Sequence, residues 1–289
     1  MNPSVPPAFS YDQAFARNLG WVTADEQKRL RTKRVAIAGL GGVGGSHLLT
    51  LTRLGIGAFN LAEFDTFELA NFNRQAGAML STLGRPKTDV LAAMARDINP
   101  EVELEVLDKG VTEENPESLL QGADVFVDGL DFFAFGVRRA VFAACAERRI
   151  PAITVAPLGM GAALLNFLPG GMTFEEYFRW DGCTEEEMAI RFLIGLSPAL
   201  LQRRYLADRS KVDFASHRGP STAMACELCA GIAATEALKV LLARGRIRVA
   251  PRGVHFDAYR NKLAHTWRPL GNRNPLQMLA IAIARRQLR

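Results

Sequence analysis

The stretch that most restricts how this chain can fold runs from Arg34 to Gln75. A short apolar run, Val35-Ala36-Ile37-Ala38, enters Gly39-Leu40-Gly41-Gly42-Val43-Gly44-Gly45, and a helix-forming segment follows at once. A strand in front, glycines at 39, 41 and 44, and a helix behind are the context in which a G-x-G-x-x-G pattern marks a nucleotide-binding turn. In this reading Gly39 permits the tight turn, Gly41 lets the backbone approach a phosphate, and Gly44 lets the helix pack closely on the strand. The phosphates then meet the free N–H groups and the positive end of the helix dipole. A second short strand near 58–61 leads to Glu63 and Asp65, which puts Asp65 where an acid bonds a ribose hydroxyl.

The residues that follow narrow the nucleotide chemistry. They are Asn71-Phe72-Asn73-Arg74-Gln75, then Gly84-Arg85-Pro86-Lys87, then Asp128-Gly129-Leu130-Asp131 after another apolar run. Hydride transfer develops little charge at the phosphates and gives Arg74, Lys87 and Asp131 nothing to do. Attack on a nucleotide phosphate needs cations to neutralise the departing charge and an oxygen ligand for Mg²⁺.

In order and spacing these residues resemble the ubiquitin-activating-enzyme-like adenylyltransferases, among which the bacterial ThiF/MoeB-type proteins are nearest in size. The resemblance spans about 17–267. It implies a Rossmann-like, doubly wound, mostly parallel sheet, extended by antiparallel strands in the C-terminal half. It implies ATP on Gly39, Gly41, Gly42 and Gly44, with Leu130 and Gln75 beside it, ribose on Asp65 and Mg²⁺ on Asp131. Asn71, Arg74 and Lys87, with Arg17 from the other subunit of a homodimer, would stabilise charge as an acceptor oxygen attacks the α-phosphate and pyrophosphate leaves. In such enzymes the acceptor is commonly the C-terminal glycine carboxylate of a small ubiquitin-like or sulfur-carrier protein. Two other readings share the motif: a tRNA-modifying, threonylcarbamoyladenosine dehydratase-like relative, and a non-catalytic nucleotide-binding dimer.

The chain departs from the family pattern in two places. Phe132 stands where an asparagine usually follows the Mg²⁺-binding acid. Relatives that pass their substrate on as a thioester carry a cysteine in the loop before Gly219-Pro220, and residues 213–218 contain none. Cys183 is the one upstream candidate, against its reading as an ordinary loop residue. Cys226-x-x-Cys229 lacks the second pair that a structural zinc site wants and lies in an apolar helical run, so zinc is not expected.

Alternating strands and helices through 155 predict parallel pairing with crossover helices. Helices are expected at 24–30, 46–54, 87–98, 116–120, 137–148, 184–206, 223–242 and 276–288, and antiparallel strands from 162 onward. Residues 1–270 read as one adenylation domain, with a nucleotide-binding half at about 30–155 and an acceptor half at about 156–270, followed by a helical tail, 271–289. The roles of 172–211 and of the tail stay open.

Composition sets outer limits. Of 289 residues, 48% are hydrophobic and 22% charged, as in ordinary globular chains. A net charge of +5 suits an anionic ligand such as ATP. The cations are scattered, so nucleic acid is permitted rather than indicated. Residues 1–10 lack a signal-peptide pattern, and prolines and glycines interrupt the charge-free span 150–174, which excludes it as a membrane helix. A cytoplasmic protein is expected.

Overall fold

In the computed structural model, which describes residues 8–212, 217 and 219–287, eight strands form one sheet in the order β3-β2-β1-β4-β5-β6-β7-β8. The strands are β1 (Arg34–Ala38), β2 (Ala58–Ala62), β3 (Glu103–Leu107), β4 (Val125–Asp128), β5 (Ala152–Leu158), β6 (Gly161–Phe167), β7 (Arg252–Asp257) and β8 (Lys262–Trp267). The first five pair in parallel, and β6, β7 and β8 continue antiparallel, so the expected mixed, doubly wound sheet is the one observed.

Strand periodicity explains how one sheet is buried on both faces. In β1, Val35 and Ile37 join the core on one side, while Ala36 and Ala38 join the core on the other. The first side is covered by α3 (Gly44–Leu54), α4 (Lys87–Ile98) and α9 (Ala223–Leu242). The second is covered by α5 (Pro116–Leu120), α6 (Phe135–Glu147), α7 (Phe174–Phe178) and α8 (Glu185–Leu196). Side chains such as Leu48, Leu51, Phe59 and Val127 are fully enclosed, each contributing about 1.5–3 kcal/mol. Two short N-terminal helices, α1 (Tyr11–Ala14) and α2 (Ala24–Arg31), precede the sheet, and α10 (Pro275–Gln287) packs on α8. No helix among the described residues is long and apolar enough to cross a membrane.

The longest departure from expectation is the helix predicted over 184–206. Thr184 is its N-cap, accepting from the Glu187 N–H, but it ends at Leu196. Pro198 follows the C-cap Ser197; it has no N–H to donate, and its ring would clash with the carbonyl four residues back. Leu201–Arg204 then forms a separate 3₁₀ turn. Elsewhere ends shift by one to three residues; α3 starts at Gly44 rather than 46, and α10 starts at Pro275. The predicted final helical residue, Leu288, and the loop residues 213–216 and 218 lie outside the described residues.

Candidate functional site

The strand order reverses direction between β1 and β4, and open α/β sheets bind ligands at the carboxyl ends of strands beside such a point. There the glycine turn packs closely against backbone. Gly39 has φ +80°, and a β-carbon on it would lie 2.4 Å from the Gly129 carbonyl oxygen; on Gly44 it would lie 1.8 Å from the Gly39 oxygen. Neither site has room for a side chain. At Gly41 the nearest atom to such a carbon would be Gln75 Nε2 at 3.8 Å, so that position is open. The glycine turn and the 129–131 loop are therefore in contact, held also by the Gly129 N–H on the Ala38 carbonyl at 2.9 Å.

On the β2 side, Glu63 follows the last strand residue and is 7% exposed. Its carboxylate accepts from the backbone N–H groups of Leu40 at 2.9 Å, Phe64 at 2.9 Å and Asp65 at 3.0 Å. This ties the glycine turn to the end of β2. Lys87 opens α4, is buried, and donates to Asp65 Oδ2 at 3.0 Å, with Glu63 Oε2 at 4.0 Å. The Asp65 side chain is 53% exposed, so it faces solvent while its other oxygen meets Lys87.

Arg74 lies against the open part of the turn. A β-carbon on Gly42 would be 3.5 Å from Arg74 Nε and 3.3 Å from the Cys226 sulfur. Arg74 Nη1 donates to Asn73 Oδ1 and the Ala70 carbonyl. Asn71 is used locally, its Oδ1 accepting from the Glu68 N–H at 2.9 Å. Gln75 is buried with Oε1 lacking a hydrogen-bond partner among the described residues. Arg17 sits in an exposed 3₁₀ turn, Ala16–Asn18, outside this cluster's hydrogen bonds.

On the β4 side, Asp131 is exposed, and its Oδ1 accepts from the Phe133 N–H at 3.0 Å. The loop that carries it is shaped from below by Arg138, 2% exposed. Arg138 donates to the carbonyls of Leu130 and Asp131, both at 2.9 Å, to that of Phe132 at 3.2 Å, and to Asp128 Oδ2 at 3.0 Å. Thr154 also donates to Asp128. Phe132 packs in an aromatic group, 5.0 Å from Phe133 and 5.2 Å from Phe192 by ring centroids. Sequence reasoning did not assign roles to Glu63 or Arg138. A charged residue at the end of a fully buried strand is a signal for the first; nothing in local spacing marks the second.

The cysteines are poorly placed for nucleophilic chemistry. Burial pushes the Cys183 thiol up, and Sγ lies 3.5 Å from the Arg179 carbonyl. Burial likewise raises Cys226 and Cys229, which lie on α9 inside the core. A thiol held above its usual range is protonated near neutral pH and unreactive. Among the described residues no three His, Cys, Asp or Glu side chains gather to hold a metal on their own. The hard carboxylate oxygen of Asp131 fits Mg²⁺ in the way that ion is commonly bound, by one or two carboxylates with substrate phosphates and water completing the set.

Comparison with known proteins follows the same lines. The model of the ThiF family matches residues 15–278. The chain is 36% identical over 150 residues to the tRNA threonylcarbamoyladenosine dehydratase of Bacillus subtilis (strain 168), covering 52% of this chain and 57% of that protein. It is 32% identical over 148 residues to the sulfur carrier protein ThiS adenylyltransferase of Escherichia coli (strain K12), covering 51% and 58%. Among solved structures, that of E. coli MccB with ATP is similar in fold, with a TM-score of 0.65 and 19% identity, over 92% of this chain and 72% of that one.

Proposed function

The chain belongs to the ThiF family, and from that premise we propose that it is an ATP-dependent adenylyltransferase acting on an acceptor carboxylate, the C-terminal glycine of a small ubiquitin-like or sulfur-carrier protein. One observation carries the reading: Arg74 against Gly42 and Lys87 beside Glu63 flank a backbone turn that touches the loop bearing Asp131. Two cations and a hard oxygen ligand around a glycine turn are what phosphoryl chemistry needs and hydride transfer does not.

In this mechanism the glycine turn cradles the triphosphate and Asp65 holds the ribose. Asp131 would hold Mg²⁺, which supplies charge neutralisation at the phosphates when bound. Gln75 and Leu130 border the nucleotide, Gln75 Nε2 being the nearest atom to a β-carbon on Gly41. The acceptor carboxylate oxygen bonds to the α-phosphorus, the bond from that phosphorus to the bridging oxygen breaks, and pyrophosphate leaves with the electron pair. Arg74 and Lys87 stabilise the growing negative charge, with Asn71 fixing the turn that aims Arg74. No protein nucleophile is required, since positioning and electrostatics carry the step.

Arg17 would come from a second copy. Leu19 and Trp21 beside it are 46% and 86% exposed. A groove of about 580 Å³ between α9 and β7–β8 is floored by Leu164, Leu228, Ile232, Val254 and Leu263. These apolar surfaces fit a homodimer with shared sites.

ATP–pyrophosphate exchange tests the reading. Arg74→Ala and Asp131→Ala should each lower exchange by about 10²–10³-fold, the usual loss of a transition-state charge partner, with unchanged circular dichroism. Undiminished exchange in either variant refutes the assignment.

A further inference from the structure

A cation near a helix N-terminus works against the helix dipole, yet Arg138 occupies the first turn of α6 and is 2% exposed. Its guanidinium is spent on the loop after β4. Nη2 donates to the Leu130 and Asp131 carbonyls at 2.9 Å each, Nη1 to the Phe132 carbonyl at 3.2 Å, and Nε to Asp128 Oδ2 at 3.0 Å. Asp128 is buried as well; it accepts from the Thr154 hydroxyl at 2.9 Å and from the Leu130 N–H at 3.1 Å, so the charge of Arg138 is balanced inside the fold.

Three successive carbonyls are thus drawn onto one side chain, and Asp131 Oδ1 accepts from the Phe133 N–H at 3.0 Å. Asp131 Oδ2 is the oxygen of residues 130–132 left for a metal ion. The face of the guanidinium meets α8. There the enclosed Phe192 ring has its centroid 4.7 Å from the Arg138 guanidinium carbon and 5.2 Å from that of the Phe132 ring. One side chain of α8 therefore braces both the arginine and the loop, which gives part of the 172–211 segment a place at the site.

Resting on the adenylyltransferase reading, we propose that Arg138 is the positioning residue of the metal site: it holds the 130–132 backbone so that Asp131 Oδ2 meets Mg²⁺, and Phe192 fixes the plane of its guanidinium. In this role Arg138 touches neither nucleotide nor metal and acts through Asp131. A lysine would keep the charge against Asp128, but one ammonium cannot reproduce a planar fork that serves the three carbonyls and Asp128 together. Residues that orient a metal ligand in this way set metal affinity by about 10–100-fold.

The test uses the full chain in excess over α,β-methylene-ATP, with Mn²⁺ as the probe because it takes the same oxygen ligands as Mg²⁺. Free Mn²⁺ is read by electron paramagnetic resonance. Arg138→Lys should weaken Mn²⁺ binding by at least about tenfold and Phe192→Leu by about threefold, while affinity for the same nucleotide in EDTA changes by less than about twofold. Asp131→Ala should weaken Mn²⁺ binding at least as much as Arg138→Lys, and adding Arg138→Lys to it should cost nothing further, since one residue acts through the other. Arg139→Ala removes the neighbouring, more exposed cation and should bind Mn²⁺ as the unaltered chain does. Full Mn²⁺ affinity in Arg138→Lys, or a loss that adds to that of Asp131→Ala, overturns the proposal and leaves the adenylyltransferase reading standing. An equal loss of nucleotide affinity in EDTA does the same, being the sign of a general disturbance of the fold. Should Arg138→Lys fail to fold, Phe192→Leu decides by the same criteria. Unchanged Mn²⁺ binding in Asp131→Ala removes Asp131 as the metal ligand, and so counts against the reading itself as well as against the proposal.

Discussion

His47, in the first turn of α3, is fully enclosed, and neither ring nitrogen has a hydrogen-bond partner among the described residues. Burial pushes its pKa down from 6.5 to about 3. The sign of the consequence follows from proton uptake: between those values the unfolded chain binds a proton that the folded chain does not. Above pH 6.5 the ring is neutral in both folded and unfolded chains and proton uptake contributes nothing; stability falls as pH drops below that value, by up to about 1.4 kcal/mol per unit for one proton. His255, also lowered by burial, acts in the same direction. Urea midpoints measured from pH 7.5 to pH 5 should fall less steeply for His47→Leu than for the unaltered chain; parallel curves would show that the imidazole is not the source. At this scale the glycines were readable because a turn that admits no β-carbon at 39 and 44 leaves a spacing in the sequence. Glu63 and Arg138 were not, because their roles depend on which backbone groups the fold brings to them from 23 and 7 residues away.

Among the elements, α9 illustrates what apolar periodicity can and cannot say. Its run 223–242 was readable as a helix, yet it is apolar on more than one side: Cys226, Ala233 and Ala237 face the core, while Leu228 and Ile232 floor the groove toward β7 and β8. A helix apolar all round is normally covered all round. If a second copy provides the cover, Ile232→Asp should convert the dimer to a monomer by light scattering, with little change in the melting of the isolated chain. A persistent dimer would place the contact elsewhere. The helix predicted over 184–206 was overextended because apolar spacing ran on through Leu200 while Pro198 had already removed the donor a continuing turn requires.

For the molecule as a whole, the alternation of strands and helices gave the parallel half, and the shift after 155 gave the antiparallel half. The order in which the strands lie, and hence which loops meet, came from packing that no single segment records. The proposed sharing of sites between two copies makes a further prediction at this scale. Arg17→Ala and Arg74→Ala, each inactive alone, should recover about a quarter of normal exchange when mixed and allowed to trade subunits, since half of the dimers are mixed and each has one complete site. No recovery would mean that Arg17 acts within its own chain or not at all. The contact of Gly39, Gly44 and Gly129 reaches further than the turn it builds. Being made of main chain, it does not depend on any side chain of the β5–β8 half, so a lineage could exchange that half for another and find a new client while the triphosphate cradle stayed as it was.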